Sequence, residues 1–135
     1  METKNRFKDL VAYKESRALV KMIYGILYKF PKEEMYALSD QLRRAAVSVP
    51  SNIAEGMGRY SVKEQTHFLE IAFGSLLEIS AQLDIAGDLG YVDTSEQEVI
   101  EKQVDRVASL ISGLRNKRVE NSQTPSPLTH NPSPL

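Results

Sequence analysis

Residues 19–30 read LVKMIYGILYKF, nine apolar side chains in twelve, interrupted by Lys21, Gly25 and Lys29. The three interruptions recur every four residues, so on a helix they share one narrow stripe and nearly all of the remaining circumference must be covered by protein. The spacing predicts a first helix from about Asp9 to Phe30. Phe30 precedes Pro31, which disfavours helical geometry at that point.

Downstream the same periodicity returns three more times. A second helix begins near Glu33 and Glu34, acidic residues suited to the positive end of a helix dipole, and keeps Leu38, Leu42, Ala45, Val49 and Ile53 on one face. That face continues across Pro50, so a bent or interrupted helix is expected there, closed by Gly56 and Gly58. Ser61-Val-Lys-Glu64 has the form of a capping box for a third helix, with Phe68, Ile71, Ala72, Leu76, Ile79, Leu83 and Ala86 turned inward and Gly90 as its stop. Ser95-Glu-Gln-Glu98 repeats the signature ahead of Ile100, Val104, Val107, Ile111 and Leu114. No Asn-Gly or Asp-Gly turn separates alternating apolar runs, so strands are not expected. The predicted fold is all-α: an up-down-up-down antiparallel four-helix bundle over residues 9–120, preceded by an N-terminal arm (1–8) and followed by a disordered Pro/Ser-rich tail (121–135).

Composition narrows the class. A chain of 135 residues with no cysteine has neither a disulfide framework nor a thiolate metal site. The first ten residues lack the apolar core of a signal peptide, and no run approaches the roughly 20 apolar residues of a membrane span, which points to the cytoplasm and away from membranes. Net charge is −1, but residues 1–63 carry 12 basic and 7 acidic side chains whereas residues 64–105 carry 1 and 10. The charge is therefore lopsided along the chain.

Catalysis finds little to work with. The two histidines are His67 and His130, so a converging metal cluster is not expected, and the single Glu64-x-x-His67 pair reads as a capping glutamate followed by a solvent-facing histidine. A nucleophile triad is not visible around His67, and Gly56-Met-Gly58 follows a helix where a phosphate loop would follow a strand. No cofactor is implied, and the expectation is a protein that is not an enzyme.

The basic residues are more suggestive. Lys14, Arg17, Lys21 and Lys29 recur at helical spacing on one face, over a length of roughly 22 Å, and such a ridge can follow several phosphates; the plain alternative is a solvated face. Arg43, Arg44, Arg59 and Lys63 form a second group expected around the corner between the second and third helices. Asp40 and Glu55 sit three or four residues before these arginines, so pairing within the helix competes with a ligand role.

The stretch RRAAVSVPSNIAEGMGR at residues 43–59 resembles the signature of the four helix bundle proteins related to those encoded in bacterial 23S rRNA intervening sequences. FKDLVAYKES (7–16), FPKEEMYALSDQLRRA (30–45) and FLEIAFGSLLEISAQL (68–83) support the resemblance, which covers about residues 7–118. It implies an up-down bundle that assembles as a homopentameric ring. It also implies kinship with the accessory variability protein of diversity-generating retroelements, which binds reverse transcriptase and nucleic acid through basic surface. The expected function is a non-catalytic homo-oligomer that binds RNA, or a nucleic-acid-processing partner such as a reverse transcriptase. The alternative is a protein scaffold whose arginines pair with carboxylates such as Glu70 and Glu78 of a neighbouring subunit.

Overall fold

The computed structural model describes residues 6–123. Within them α1 (Val11–Leu27), α2 (Leu38–Met57), α3 (Val62–Asp88) and α4 (Thr94–Gln123) follow one another, with 3-10 turns at Arg6–Asp9 and Lys32–Glu34 and no strand. Each helix packs against the next, α1 also packs against α4, and the backbones of the diagonal pairs α1/α3 and α2/α4 stay apart. That is the arrangement of an up-down-up-down four-helix bundle. No helix among the described residues is long and apolar enough to cross a membrane.

One core runs the length of the bundle. Leu19 and Ile23 of α1, Leu42, Val49 and Ile53 of α2, Leu76, Ile79 and Leu83 of α3, and Val107 and Ile111 of α4 are all essentially inaccessible to solvent. In α3 the buried apolar residues are Leu69, Ala72, Leu76, Ile79, Leu83 and Ala86, spaced alternately by three and four. Ile71, expected on the inner face, is instead exposed, and Phe68 is half-buried. The seven-residue rhythm sets the seam, and both residues lie off it.

At Gly56, α2 and α3 come close together. A Cβ there would stand 3.1 Å from the Gln65 carbonyl oxygen and 3.1 Å from Phe68 Cβ, so only glycine fits without displacement. Farther along the same interface the buried Ser75 hydroxyl donates to Ser48 Oγ at 2.8 Å, and Asn52 Nδ2 donates to Ser48 Oγ at 2.9 Å. Pro50 sits inside α2 without interrupting it. It is buried, as are Val49 and Ile53 on the same helix, although it cannot make the backbone hydrogen bond of its position.

Helix ends follow the capping rules with one shift of position. Ser61 Oγ accepts the Glu64 amide at 3.1 Å, as its capping box predicts. At α4 the cap is Asp93: its carboxylate accepts the Glu96 amide at 2.8 Å, and the Glu96 carboxylate accepts the Asp93 amide in return, so the Ser95–Glu98 pair is not the cap. Gly90, with φ of 80°, closes α3 while the amide of Tyr91 donates to the Ala86 carbonyl at 2.9 Å, a Schellman geometry. The last helix extends to Gln123, past the expected start of the tail at residue 121; the remainder of that tail and most of the N-terminal arm lie outside the described residues.

The α2–α3 contact yields a contrast measurable by chemical denaturation. Gly56→Val should cost about 2 kcal/mol by overpacking. Gly113→Ala in α4, where a Cβ meets nothing within 4 Å, should add up to about 1 kcal/mol through helix propensity.

Candidate nucleic-acid interface

The outward stripe of α1 carries the site. Leu19, Ile23 and Ile26 turn into the core, which fixes the roll of the helix and leaves Lys14, Arg17, Ala18, Lys21 and Tyr24 exposed on the far side. Lys14, Arg17, Lys21 and Tyr24 line an open depression of about 610 Å³. Arg17 and Val20 also line a neighbouring groove of about 340 Å³ between α1 and α2, walled by Phe7, Tyr13, Val47 and Pro50. Phe7 meets Tyr13 edge-on at 5.0 Å between ring centroids, and the Arg17 guanidinium lies 5.7 Å from the Tyr13 centroid. Along the stripe three cations are thus followed by the ring of Tyr24, and Tyr28, 81% exposed, extends it by another turn.

Roll is also held from the α4 side. The Glu15 carboxylate accepts hydrogen bonds from Gln103 Nε2 at 3.0 Å and Arg106 Nε at 3.0 Å. The hydrogen bond from Gln103, then that from Arg106, holds the Glu15 carboxyl below its ordinary range.

The structure divides the eight cations proposed from sequence. Lys14, Arg17 and Lys21 share the α1 stripe and form no ion pair among the described residues. Lys29 leaves that stripe. It lies beyond the end of α1 and pairs with Glu96, whose hydrogen bond holds the lysine above its ordinary pKa. Arg43 donates to the Met35 carbonyl at 3.0 Å and lies 3.6 Å from Asp40, while Arg44 donates to the same Asp40 at 3.1 Å. Arg59 pairs with Glu55 and stacks 4.8 Å over the Phe68 ring. Lys63, in the first turn of α3, is exposed and forms no ion pair among the described residues.

The expected cluster at the α2–α3 corner is not formed. Arg43 and Arg44 stand near the start of α2, roughly 22 Å along the helix from Arg59. Sequence reasoning also passed over the tyrosines: Tyr24 and Tyr28 follow Lys21 by three and seven residues, a spacing that puts all three on one helical face.

The α1 girth read as greasy is partly absorbed by the chain itself. Val20, Met22 and Leu27 are half-buried against the core, and what remains open is mainly Val11, Tyr24 and Tyr28. His67 is exposed, and the carboxylate of Glu64 is turned to its own cap at Ser61 Oγ. Among the described residues no group of three or more histidine or acidic side chains converges as a metal site.

A four-helix bundle with a basic, tyrosine-bearing outer helix is the class these features define. The family model described as 23S rRNA-intervening sequence protein matches residues 8–113, and the chain belongs to that family. Among solved structures, a protein of unknown function from the S23 ribosomal protein family of Bacteroides thetaiotaomicron superposes with a TM-score of 0.72 at 19% identity, covering 78% of this chain and 98% of its own. At that identity the likeness is one of fold. No curated protein matches the chain.

A pH dependence follows from Glu15. Its folded-state carboxyl titrates below the ordinary glutamate value of 4.5, so its stabilisation is complete above that value and is lost as pH falls through the lowered one. In thermal melts, Glu15→Ala should lower Tm at pH 7, and the gap from the parent should close as pH falls below 4.5 and through the lowered value.

Proposed function

We propose that this chain is a non-catalytic, self-assembling bundle that binds RNA along the outward face of α1. The observation that carries the reading is the set Lys14, Arg17 and Lys21: three exposed cations on one stripe, none in an ion pair among the described residues, with Tyr24 and Tyr28 beside them. Other cations of the chain, such as Lys29, Arg44 and Arg59, are matched to carboxylates. Phosphates supply the anions missing along α1, and the tyrosine rings offer stacking surfaces to unpaired bases. In a pentameric ring, which the family resemblance implies, five such faces would act together and raise avidity well above that of one bundle.

Filter binding of single-stranded RNA across salt concentrations tests this. Three phosphate contacts give a slope of log affinity against log salt of about −2 per bundle. Each of Lys14→Ala, Arg17→Ala and Lys21→Ala should flatten the slope by about 0.7 and weaken binding to all sequences alike. Absence of binding at low salt refutes the reading.

A scaffold without RNA has its own support. On α3 the exposed Ile71, Leu77, Ile85 and Leu89 lie among Glu70, Glu78, Asp84 and Asp88. α1 and α3 are diagonal, so this acidic, apolar face points away from the basic one, and a head-to-tail contact between copies would join opposite charges. Arg17→Glu with Lys21→Glu distinguishes the two readings by light scattering. Dissociation that is rescued by Glu78→Lys supports the scaffold; an intact assembly that has lost RNA affinity supports the RNA face.

A further inference from the structure

At the end of the bundle where α2 stops, a second cleft opens on the other side of Phe7 from the α1–α2 groove. Its volume is about 370 Å³, and Arg6 from the N-terminal 3-10 turn and Arg118 from α4 both line it, with Asp9, Met57 and Gln65. The Arg118 guanidinium is poorly satisfied. Its Nη2 donates to the Met57 thioether at 3.0 Å, a weak acceptor, and its Nε is buried with no hydrogen-bond partner among the described residues. Neither arginine forms an ion pair among the described residues.

Arginine cannot escape such a position by giving up its proton. Two arginines line one cleft whose single lining carboxylate among the described residues is Asp9, so that lining carries an excess of one positive charge. A cleft with such an excess, walled in part by Leu10 and Met57, favours an anion. A tetrahedral dianion answers both defects: it accepts from two planar donor forks at once and reverses the sign of the excess.

We propose that this cleft binds a phosphate monoester, clamped between Arg6 and Arg118, with Asp9 as the built-in competitor that limits affinity. The volume exceeds that of one bare anion and leaves room for a substituent on the phosphate. Free phosphate and the phosphorylated end of an RNA strand share this chemistry. The site does not depend on the α1 face, and it can stand whether or not that face binds RNA.

Thermal unfolding of the full chain at constant ionic strength is the test. Phosphate replaces chloride up to about 20 mM, where general exclusion of the salt from the protein surface is small. Inorganic phosphate should raise Tm by about 5 °C at ten times its Kd. Arg118→Met should abolish the rise, Arg6→Met should reduce it at least tenfold in affinity, and Asp9→Asn should enlarge it. If Arg118→Met does not fold, the opposite signs expected of Arg6→Met and Asp9→Asn still decide. Titration with 5′-phosphorylated and 5′-hydroxyl oligoribonucleotides separates the sources: a preference for the phosphorylated strand that vanishes in Arg6→Met assigns the site to an RNA end, and a phosphate effect without that preference assigns it to a free phosphate. A Tm unmoved by phosphate in the parent chain, or moved equally in the parent and both arginine variants, overturns the proposal.

Discussion

Close approach of α2 and α3 is the constraint on which the other geometry depends. Gly56 lets the Gln65 carbonyl and Phe68 come within 3.1 Å of where a side chain would begin, and the Ser48–Ser75 hydrogen bond fixes the two helices along their length. With that pair set, α1 and α4 close the bundle from the other side, and α1 can bury only one edge of its apolar girth. The candidate stripe is the remainder: what α1 shows outward is determined by what α2 and α4 leave uncovered.

Carboxylates then decide which cations are available. Glu96 neutralises Lys29, Asp40 serves Arg43 and Arg44 together, and Glu55 holds Arg59. Glu70 is engaged by Arg115 within the same chain, at 3.3 Å. These exposed pairs each contribute little to stability, but they shift the pattern of free charge a good deal. Nominal basicity along the first half of the sequence is thereby thinned to the compact group on α1, besides Arg6, Lys8, Lys32 and Lys63, which also form no ion pair among the described residues.

Much of the fold was legible because amphipathic period and caps are local. The α2 face from Leu38 to Ile53, the Ser61 cap and the Gly90 stop all follow from residues within one or two turns. Misreadings arose where two local patterns overlapped. Asp93-x-x-Glu96 and Ser95-x-x-Glu98 both have the form of a cap, and the former prevails because it starts the helix earlier and still leaves Glu96 within reach of Lys29. Phe68 and Ile71 look as apolar as Leu69, and only the phase of a 27-residue helix against its neighbours selects among them. The site was half legible: the α1 spacing identified Lys14, Arg17 and Lys21, but no local rule shows that Lys29 turns toward α4, or that Arg6 and Arg118 share a cleft, since those partners meet only through the tertiary fold.

The diagonal placement of α1 and α3 has a consequence for how the molecule meets a polyanion. A net charge of −1 conceals a dipole directed across the width of the bundle, from the carboxylates of α3 to the amines and guanidinium of α1. In the field of a nucleic acid such a body experiences a torque before it experiences contact, and it turns its α1 side forward while α3 is pushed back. Under the proposed RNA reading, orientation is selected during approach, at distances set by the Debye length, so that a nearly neutral protein needs no broad attraction to every anionic surface.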